Sequence, residues 1–209
     1  MTIDGVTAAI GQKIDPETAV VTIDGIRLPV RPDAVYYLLY KPVGVISTRA
    51  DELGRQTVVD LVPAEPAVHP VGRLDADSEG LLVLTNDGDL THHLTHPRFG
   101  VTKTYTVLTT GRLAPGDARR LETGVELEDG LAAARSARIV DTSPQGTLLE
   151  MVMTEGRNRE IRRMVVTLGE EVVRLVRTAI GDLRDRDLAP GTWRPLNAAE
   201  VRRLFAEGG

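Results

Sequence analysis

Residues 72–85 read Gly-Arg-Leu-Asp-Ala-Asp-Ser-Glu-Gly-Leu-Leu-Val-Leu-Thr. The four apolar residues Leu81–Leu84 lie between a glycine and a run of turn-forming residues, a pattern typical of a strand that is buried on both faces. Three carboxylates, those of Asp75, Asp77 and Glu79, come immediately before this strand. The stretch therefore predicts a strand buried on both faces, with Asp77 and Glu79 as solvated residues of an acidic turn at its entrance.

Strands outnumber helices in the rest of the chain. Further extended segments are predicted at Val35–Tyr40, Val43–Thr48, Val101–Leu108, Ala133–Val140 and Thr147–Met153. Helices are predicted at Gln56–Leu61, at Pro115–Leu121, around the stripe of Ile161, Met164, Val165 and Leu168, and from Asn197 to Phe205. Because the two kinds of element do not alternate regularly, the pattern favours an α+β fold with a mixed or antiparallel sheet over a doubly wound fold.

The composition is that of an ordinary globular protein. The 209 residues are 42% apolar and 26% charged, which is enough for a sizeable core in one large domain or two modest ones. The chain has no cysteine, so disulfides, zinc–thiolate sites and thiolate nucleophiles are excluded. No apolar run approaches the roughly 18 residues of a membrane span and no signal peptide is visible, so a cytoplasmic protein with no membrane partner is expected.

The balance of charge limits how the chain can bind nucleic acid. Its 30 acidic and 25 basic residues give a net charge of −5, which excludes a uniformly basic coat but permits a local basic cleft. Aromatic residues make up only 3% of the chain, so a surface built of many stacking platforms is not expected.

Residues 1–33 have the pattern of a small appendage. The tetrapeptide Thr-Ile-Asp-Gly occurs at Thr2–Gly5 and again at Thr22–Gly25, and each copy predicts a strand that ends in a tight turn. Pro29 and the segment Arg31–Asp33 predict a linker. The main domain is therefore expected to begin near Ala34.

The acidic turn before the central strand is the first candidate for chemistry. Asp75 could be held at the strand edge as a nucleophile or base, or the turn could be an ordinary solvated loop. The spacing Asp-x-Asp-x-Glu-Gly also imitates the start of a calcium loop. Calcium is excluded because the twelfth position is Asn86 rather than a bidentate glutamate, and because the flanking segments are not helical in pattern.

Four arginines within seven residues form the second candidate. They are Arg157, Arg159, Arg162 and Arg163, in the stretch Glu-Gly-Arg-Asn-Arg-Glu-Ile-Arg-Arg-Met that starts at Glu155. On a helical wheel of about 100° per residue, Arg159 and Arg163 lie opposite the apolar stripe, as on a solvated basic face. Arg162 lies at the margin of the stripe, so we expect it to be the most buried of these three and to need a carboxylate partner.

Histidine and tyrosine residues give two further candidates. His92 and His96 are four residues apart and could ligate a metal from one helix face, but no glutamate completes a metalloprotease pattern and Pro97 ends the segment, so no metal site is expected. Tyr105 lies in the middle of a predicted strand beside Lys103. It is either a core tyrosine with a satisfied hydroxyl or a ring that stacks on a base beside the reacting atoms.

Several ordered motifs together resemble one family, the RsuA/RluB-type ribosomal RNA pseudouridine synthases. The motifs are Lys41-Pro42-x-Gly44-Val45-x-Ser47, Gly72–Asp75 with Ser78–Gly88, Lys103-x-Tyr105, Gly156–Met164, Arg174-Leu175-x-Arg177 and Gly191-x-Trp193-Arg194. They span roughly residues 34–200, at the spacing of the family. The resemblance implies a pseudouridine synthase-like α+β fold, with a mixed or antiparallel central sheet, flanking helices and a central RNA cleft.

The resemblance also implies a reaction and the residues that carry it. Such enzymes isomerise uridine in RNA to pseudouridine by moving the glycosidic bond from N1 to C5, without a metal or any other cofactor. Carried onto this sequence, the nucleophile is Asp75, the base-stacking tyrosine is Tyr105, the arginine paired with the aspartate is Arg162, and the pocket-lining leucine is Leu175. The RNA-binding residues are then Arg73, Lys103, Arg157, Asn158, Arg159 and Arg163.

The N-terminal segment departs from the family pattern. Such proteins commonly carry an S4 RNA-binding domain, and residues 1–33 resemble only the β part of it, so we interpret them as a remnant of an S4-like domain plus a linker. Residues 34–209 are then the catalytic domain. The Gly-Arg-Asn-Arg form of the basic motif, at residues 156–159, resembles the large-subunit members and points to 23S ribosomal RNA as the partner.

Two other classes of function stay open on the sequence. A non-catalytic RNA-binding module of ribosome assembly would use the same basic surface and would have no need of Asp75. An enzyme that uses an aspartate nucleophile on a small molecule would leave the arginine cluster unexplained. The favoured hypothesis is a monomeric ribosomal RNA pseudouridine synthase.

Overall fold

The computed structural model describes residues 1–15, 19–23, 25–28 and 33–207, with only the backbone of residues 26–28. Its strands are β1 Thr2–Ile3, β2 Val6–Thr7, β3 Val21–Ile23, β4 Ile26–Leu28, β5 Tyr36–Lys41, β6 His69–Pro70, β7 Glu79–Thr85, β8 Lys103–Thr109, β9 Val125–Leu127, β10 Gly130–Ala132, β11 Ser136–Ser143, β12 Gly146–Met153, β13 Val172–Ile180, β14 Leu183–Arg184 and β15 Trp193–Pro195. The α-helices are α1 Gly88–Thr95, α2 Pro115–Thr123, α3 Glu160–Val166 and α4 Ala198–Ala206, and 3-10 helices lie at Val58–Leu61 and Pro97–Phe99.

The first four strands form a small sheet of their own in the order β2-β1-β3-β4. Ile3 pairs with Val6, so Asp4 and Gly5 are the two residues of a hairpin turn, and both have positive φ angles (50° and 82°). Aspartate–glycine is the pair that such turns favour, and the predicted tight turn is confirmed here. The linker predicted at Pro29 and Arg31-Pro32 falls outside the described residues.

The main sheet confirms the predicted α+β class with a mixed sheet. In the described part of the chain it has nine strands, seven of them in the order β11-β12-β8-β13-β7-β5-β15, with β14 beside β13 and β6 beside β7. Neighbouring strands are antiparallel except β7 and β13, which are parallel. The central strand β13 is missing from the sequence-based prediction, because Arg174 and Arg177 interrupt its apolar pattern.

Strand β7 is buried along its whole length, as its sequence predicts. Leu81 and Val83 pack into one cluster, which α1 and α4 cover through residues such as Leu90 and Leu204. Leu82 belongs to a second cluster on the opposite face, which the segment between β5 and β6 covers. Alternate residues of one strand thus serve two cores, which explains why β7 reads as a continuous apolar run.

Two local expectations need correction, and one helix was not predicted. Val43–Thr48 is not a strand; it turns at Gly44, which has a φ of 91°, and keeps one isolated bridge between Ile46 and Thr57. The helix predicted at Gln56–Leu61 is a short 3-10 helix. Helix α1 was not predicted as such, although Asp87 caps it by accepting the N–H groups of the first turn. The other predicted helices are present at α2, α3 and α4, and no helix in the described residues is long and apolar enough to cross a membrane.

Candidate active site

A cleft of about 540 Å³ opens beside strands β8 and β13 of the main sheet. Its other walls are the segment before β7, the end of α1, and the segment that leads from β12 into α3. Eight of the ten predicted site residues line it: Arg73, Asp75, Lys103, Tyr105, Arg157, Asn158, Arg159 and Leu175. Arg162 and Arg163 lie outside the lining.

Asp75 lies in the loop of residues 72–78, here called the Asp75 loop. The Ser78 N–H donates to the Asp75 carbonyl oxygen (3.0 Å), which closes a tight turn. Ser47 fixes this turn from one side, because its hydroxyl donates to the Leu74 carbonyl oxygen (2.8 Å) and accepts from the Leu74 N–H (3.1 Å). The Asp75 side chain itself stays 32% exposed, so a held backbone presents an accessible carboxylate to the cleft.

A buried lysine holds the Asp75 loop from behind. Lys41, the last residue of β5, is fully buried, and its Nζ donates to the carbonyl oxygens of Ser78 (2.7 Å) and Pro42 (3.0 Å). Burial lowers the pKa of Lys41 to about 8, although the nearby Asp75 carboxylate opposes that shift. Lys41 and Ser47, noted in the sequence only as part of a motif, therefore position the loop that carries Asp75.

Tyr105 and Leu175 supply the apolar part of the cleft. Tyr105 on β8 is 9% exposed and Leu175 on β13 is 6% exposed, and both belong to one core cluster. Arg177 lies directly opposite Tyr105 in the β8–β13 ladder, so Leu175, two residues before it, faces the same side of the sheet. A largely buried ring beside an aliphatic side chain is the kind of surface on which an unstacked base packs.

Arg162 is the most buried of the three arginines compared on the helical wheel. Its side chain is 13% exposed, against 45% for Arg159 and 31% for Arg163. The order agrees with the prediction for Arg162, because α3 buries the stripe of which Arg162 marks the edge.

The expected partner of Arg162 was wrong. Its guanidinium lies 3.3 Å from the Asp77 carboxylate, and no ion pair with Asp75 within 4.0 Å is found among the described residues. It also donates to the carbonyl oxygens of Asp77 (2.9 Å) and Val172 (3.0 Å). Arg162 therefore joins the Asp75 loop to the start of β13, and acts on the backbone that carries Asp75.

Arg159 is the arginine that reaches Asp75. Its Nη1 lies 3.9 Å from Asp75 Oδ2, and it binds Asp77 with both guanidinium nitrogens, at 3.2 and 2.8 Å. Arg159 is the N-cap of α3 and has a left-handed backbone with a φ of 47°. The helical wheel treats Arg159 as a helical residue, and for that reason it placed the Arg159 side chain in solvent, opposite the apolar stripe. The hydrogen bond from Arg159 lowers the pKa of Asp77, which was expected to be a solvated turn residue and instead holds two arginines.

Two predicted RNA-binding arginines bind the chain's own β9–β10 hairpin. Arg163 makes a two-bond ion pair with Asp129 (2.8 and 2.9 Å), and Arg157 donates to the Leu131 carbonyl oxygen and lies 3.6 Å from Asp129. Asn158, between them in the cleft wall, is exposed. Arg163 is therefore already paired with a carboxylate, although its side chain stays 31% exposed.

The chain matches the family model described as RNA pseudouridylate synthase over residues 35–166. It belongs to this family. A ribosomal large subunit pseudouridine synthase B of Bacillus subtilis is 40% identical over 189 residues, a match that covers 89% of this chain and 77% of the relative. An uncharacterised RNA pseudouridine synthase of Mycobacterium tuberculosis is 41% identical over 208 residues, with 97% and 82% covered.

A crystal structure of a pseudouridylate synthase has the same fold as this RNA pseudouridylate synthase. The two superpose with a TM-score of 0.74 at 28% identity, over 97% of this chain and 87% of the other. The chain is thus an isomerase of uridine in RNA, and the cleft around Asp75 is its candidate active site.

The histidines of this synthase have structural contacts. His96 Nδ1 accepts the Arg98 N–H at 3.1 Å, and His93 bonds to the Glu207 carbonyl oxygen at 2.9 Å. The rings of His92 and His96 are 5.0 Å apart, and both lie against Phe99. In the described ranges, no three acidic or histidine side chains are grouped to hold a metal ion.

Glu79 of the synthase is not the solvated turn residue that the sequence suggested. It is buried at the first position of β7, where its carboxylate accepts from Arg174 Nε (2.6 Å) and from the Tyr40 hydroxyl (3.1 Å). The hydrogen bond from Arg174 holds the pKa of Glu79 below its usual range. The entrance of β7 is thereby tied to β5 and β13 at once.

We expect Glu79→Gln to lower the free energy of unfolding by about 1–2 kcal/mol at pH 7, because a buried charged acceptor is lost. The loss stays within this range because the side chain of Arg174 is largely exposed and remains solvated without its partner. A lowered folded-state pKa stabilises the protein above the unfolded pKa, whose ordinary value is 4.5, and that gain disappears as the pH falls through the folded pKa. Urea unfolding of both proteins checks this, since the difference should shrink below pH 4.5. A constant difference between pH 7 and pH 4 would contradict the assignment.

Proposed function

We propose that this enzyme converts uridine to pseudouridine in 23S ribosomal RNA, in the cytoplasm, with Asp75 as the nucleophile. The observation that supports this best is the position of Asp75. It is the carboxylate of a braced loop, it is accessible in a cleft, and it lies beside the apolar surface of Tyr105 and Leu175. A flat base fits that surface, and a carboxylate next to it can attack an electrophilic carbon.

The reaction requires a nucleophile from the protein and a pocket that fits the nucleotide. The glycosidic bond at N1 breaks and a bond between the sugar and C5 forms; the proton leaves C5 and N1 becomes protonated, so no atom is gained or lost. The bond that Asp75 forms to the nucleotide is broken again within the same reaction, which regenerates the free carboxylate. No oxidant, cofactor or second substrate is needed for this balance. The base must leave its stack to reach the cleft, which costs least in a loop or single strand.

The roles of the arginines follow from their contacts. Arg159 places a positive charge 3.9 Å from the Asp75 carboxylate and holds the neighbouring Asp77. Arg162 holds the Asp75 loop through backbone carbonyl groups and is a positioning residue. Arg73, Lys103 and Asn158 line the cleft and are available to the RNA strand.

The choice of 23S ribosomal RNA rests on relatives. The Bacillus subtilis relative is named a ribosomal large subunit pseudouridine synthase B. The basic motif of residues 156–159 points the same way. The four-stranded sheet of β1 to β4 supports the further proposal that residues 1–33 are the β part of an S4-like RNA-binding domain.

Mapping pseudouridine in ribosomal RNA tests the proposal. RNA from cells that lack the protein is compared with RNA from wild-type cells, and the purified enzyme is incubated with unmodified 23S and 16S transcripts. One or a few uridines of the 23S transcript should be modified, and the same positions should stay unmodified in the deletion strain. Modification of 16S RNA alone, or of neither RNA, would contradict the proposal.

Arg162→Ala tests the positioning role. We expect kcat to fall about 100-fold with little change in RNA affinity, because a displaced Asp75 loop moves the nucleophile away from the position in which it can attack the nucleotide. Arg162→Lys should recover little, since an ammonium cannot reproduce the planar fork that meets two carbonyl groups. Single-turnover rates and filter binding separate the two effects, with Arg119→Ala on the exposed face of α2 as the matched control. A loss of affinity alone would assign Arg162 to RNA binding.

A further inference from the structure

Arg177 is a buried cation whose donors are mostly unused. It is 4% exposed, yet it lines the cleft. Its Nε donates to the Leu81 carbonyl oxygen at 2.6 Å, its Nη1 reaches the Arg73 carbonyl only at 3.5 Å, and its Nη2 has no hydrogen-bond partner. A guanidinium has five N–H groups, and each buried N–H group without a hydrogen-bond acceptor lowers the stability of the fold. Arg177 thus has donor capacity to spare at the wall of the cleft.

Lys103 is a second cation at the same place. Its Nζ donates to the carbonyl oxygens of Leu94 (3.0 Å) and Val101 (2.8 Å), which uses two of its three protons. Burial, followed by repulsion from Arg177, lowers the pKa of Lys103 to about 8. In the described part of the chain, neither cation makes an ion pair with a carboxylate.

Strand register puts the two cations on one side of the sheet. Arg177 is opposite Tyr105, and Lys103 lies two residues from Tyr105 on β8, so all three face the cleft. The β13 register shifts between Arg177 and Ala179, and such a bulge re-aims the side chain beside it. The side of the cleft formed by β8 and β13 therefore has an apolar half, formed by Tyr105 and Leu175, and a cationic half, formed by Lys103 and Arg177.

We propose that Arg177 and Lys103 form a phosphodiester subsite, which holds one phosphate of the RNA strand next to the nucleotide that enters the cleft. The proposal rests on the proposed function, because it assumes an RNA strand whose uridine reaches Asp75. Two neighbouring cations without a carboxylate favour a negatively charged ligand, and a phosphate carries that charge whereas a uracil carbonyl does not. The apolar half fits the base, and the cationic half then fits the backbone that flanks it.

Lysine NMR tests the subsite in the unmodified protein. The chain has three lysines, Lys13, Lys41 and Lys103, so side-chain carbon resonances of ¹³C-lysine-labelled enzyme resolve, and Lys103→Arg assigns one of them. Millimolar tri-uridylate should raise the titration midpoint of Lys103 by about one pH unit, because a bound anion favours the ammonium. Uridine nucleoside and the methylphosphonate analogue of tri-uridylate should not move it, and exposed Lys13 reports non-specific effects. A Lys103 midpoint that ignores tri-uridylate, or responds equally to the uncharged analogue, overturns the proposal.

A variant gives the second arm. Arg177→Gln should lower the slope of log Kd against log salt for an RNA fragment by about one, the loss of one phosphate contact. Arg138→Gln, on exposed β11 and paired with Glu150, should leave the slope unchanged. An unchanged slope in folded Arg177→Gln contradicts a phosphate contact. The NMR arm needs no ribosomal target, so a failed search for a modified 23S uridine would refute the proposed function and leave this subsite to be decided on its own.

Discussion

Asp75→Asn is expected to abolish pseudouridine formation while leaving the fold intact. An uncharged amide of the same shape cannot attack carbon, so the covalent step is lost. Removal of a nucleophile costs on the order of 10⁴-fold or more in turnover. The free energy of unfolding should change by less than about 0.5 kcal/mol, because the side chain is partly exposed and its nearest cation, on Arg159, lies 3.9 Å away.

Mass spectrometry of a 23S transcript after single-turnover incubation measures the effect, and urea unfolding measures stability. Asp182→Asn is the matched control, since Asp182 is an exposed aspartate far along the chain, after β13. Full activity in Asp75→Asn would contradict the assignment of Asp75 as the nucleophile. The variant also separates the enzyme from a non-catalytic assembly module, which would restore a deletion strain without Asp75.

Gly80→Ala is expected to destabilise the protein strongly. Gly80 has a φ of 111°, and a Cβ built on it would clash with the Arg177 carbonyl oxygen and lie 2.6 Å from the Arg177 nitrogen. Both atoms are backbone, so β13 itself would have to move away from β7. Strained backbone alone costs about 1–3 kcal/mol, and the clash adds to it, so we expect a loss of at least about 3 kcal/mol.

Gly54→Ala separates strain from contact. Gly54 also has a positive φ, of 70°, but a Cβ there meets nothing within 4 Å. Urea and thermal unfolding should show a much smaller loss for Gly54→Ala than for Gly80→Ala. Equal losses would mean that the close approach of β7 to β13 relaxes at no cost. Where Gly80→Ala still folds, its activity should also fall, because Arg177 lies at the displaced position.

Local sequence pattern determined the buried faces of β7 and α3. The run Leu81–Leu84 predicted a strand with two buried faces, and the 3.6-residue period of α3 predicted that Arg162 is more buried than Arg163. These properties depend on the spacing of neighbours along the chain, which periodicity records directly. The motifs were likewise sufficient to indicate the family, because their order and spacing can be read directly from the linear sequence.

Only the tertiary structure decided which groups pair. Glu79 meets Arg174 across 95 positions of sequence, and Arg162 meets the Asp77 carbonyl across 85, because β13 inserts between β8 and β7 as their shared neighbour. No local period encodes that insertion. The left-handed backbone of Arg159 likewise turned its side chain from solvent toward Asp75, since one residue outside the helical region breaks the geometry on which a wheel depends.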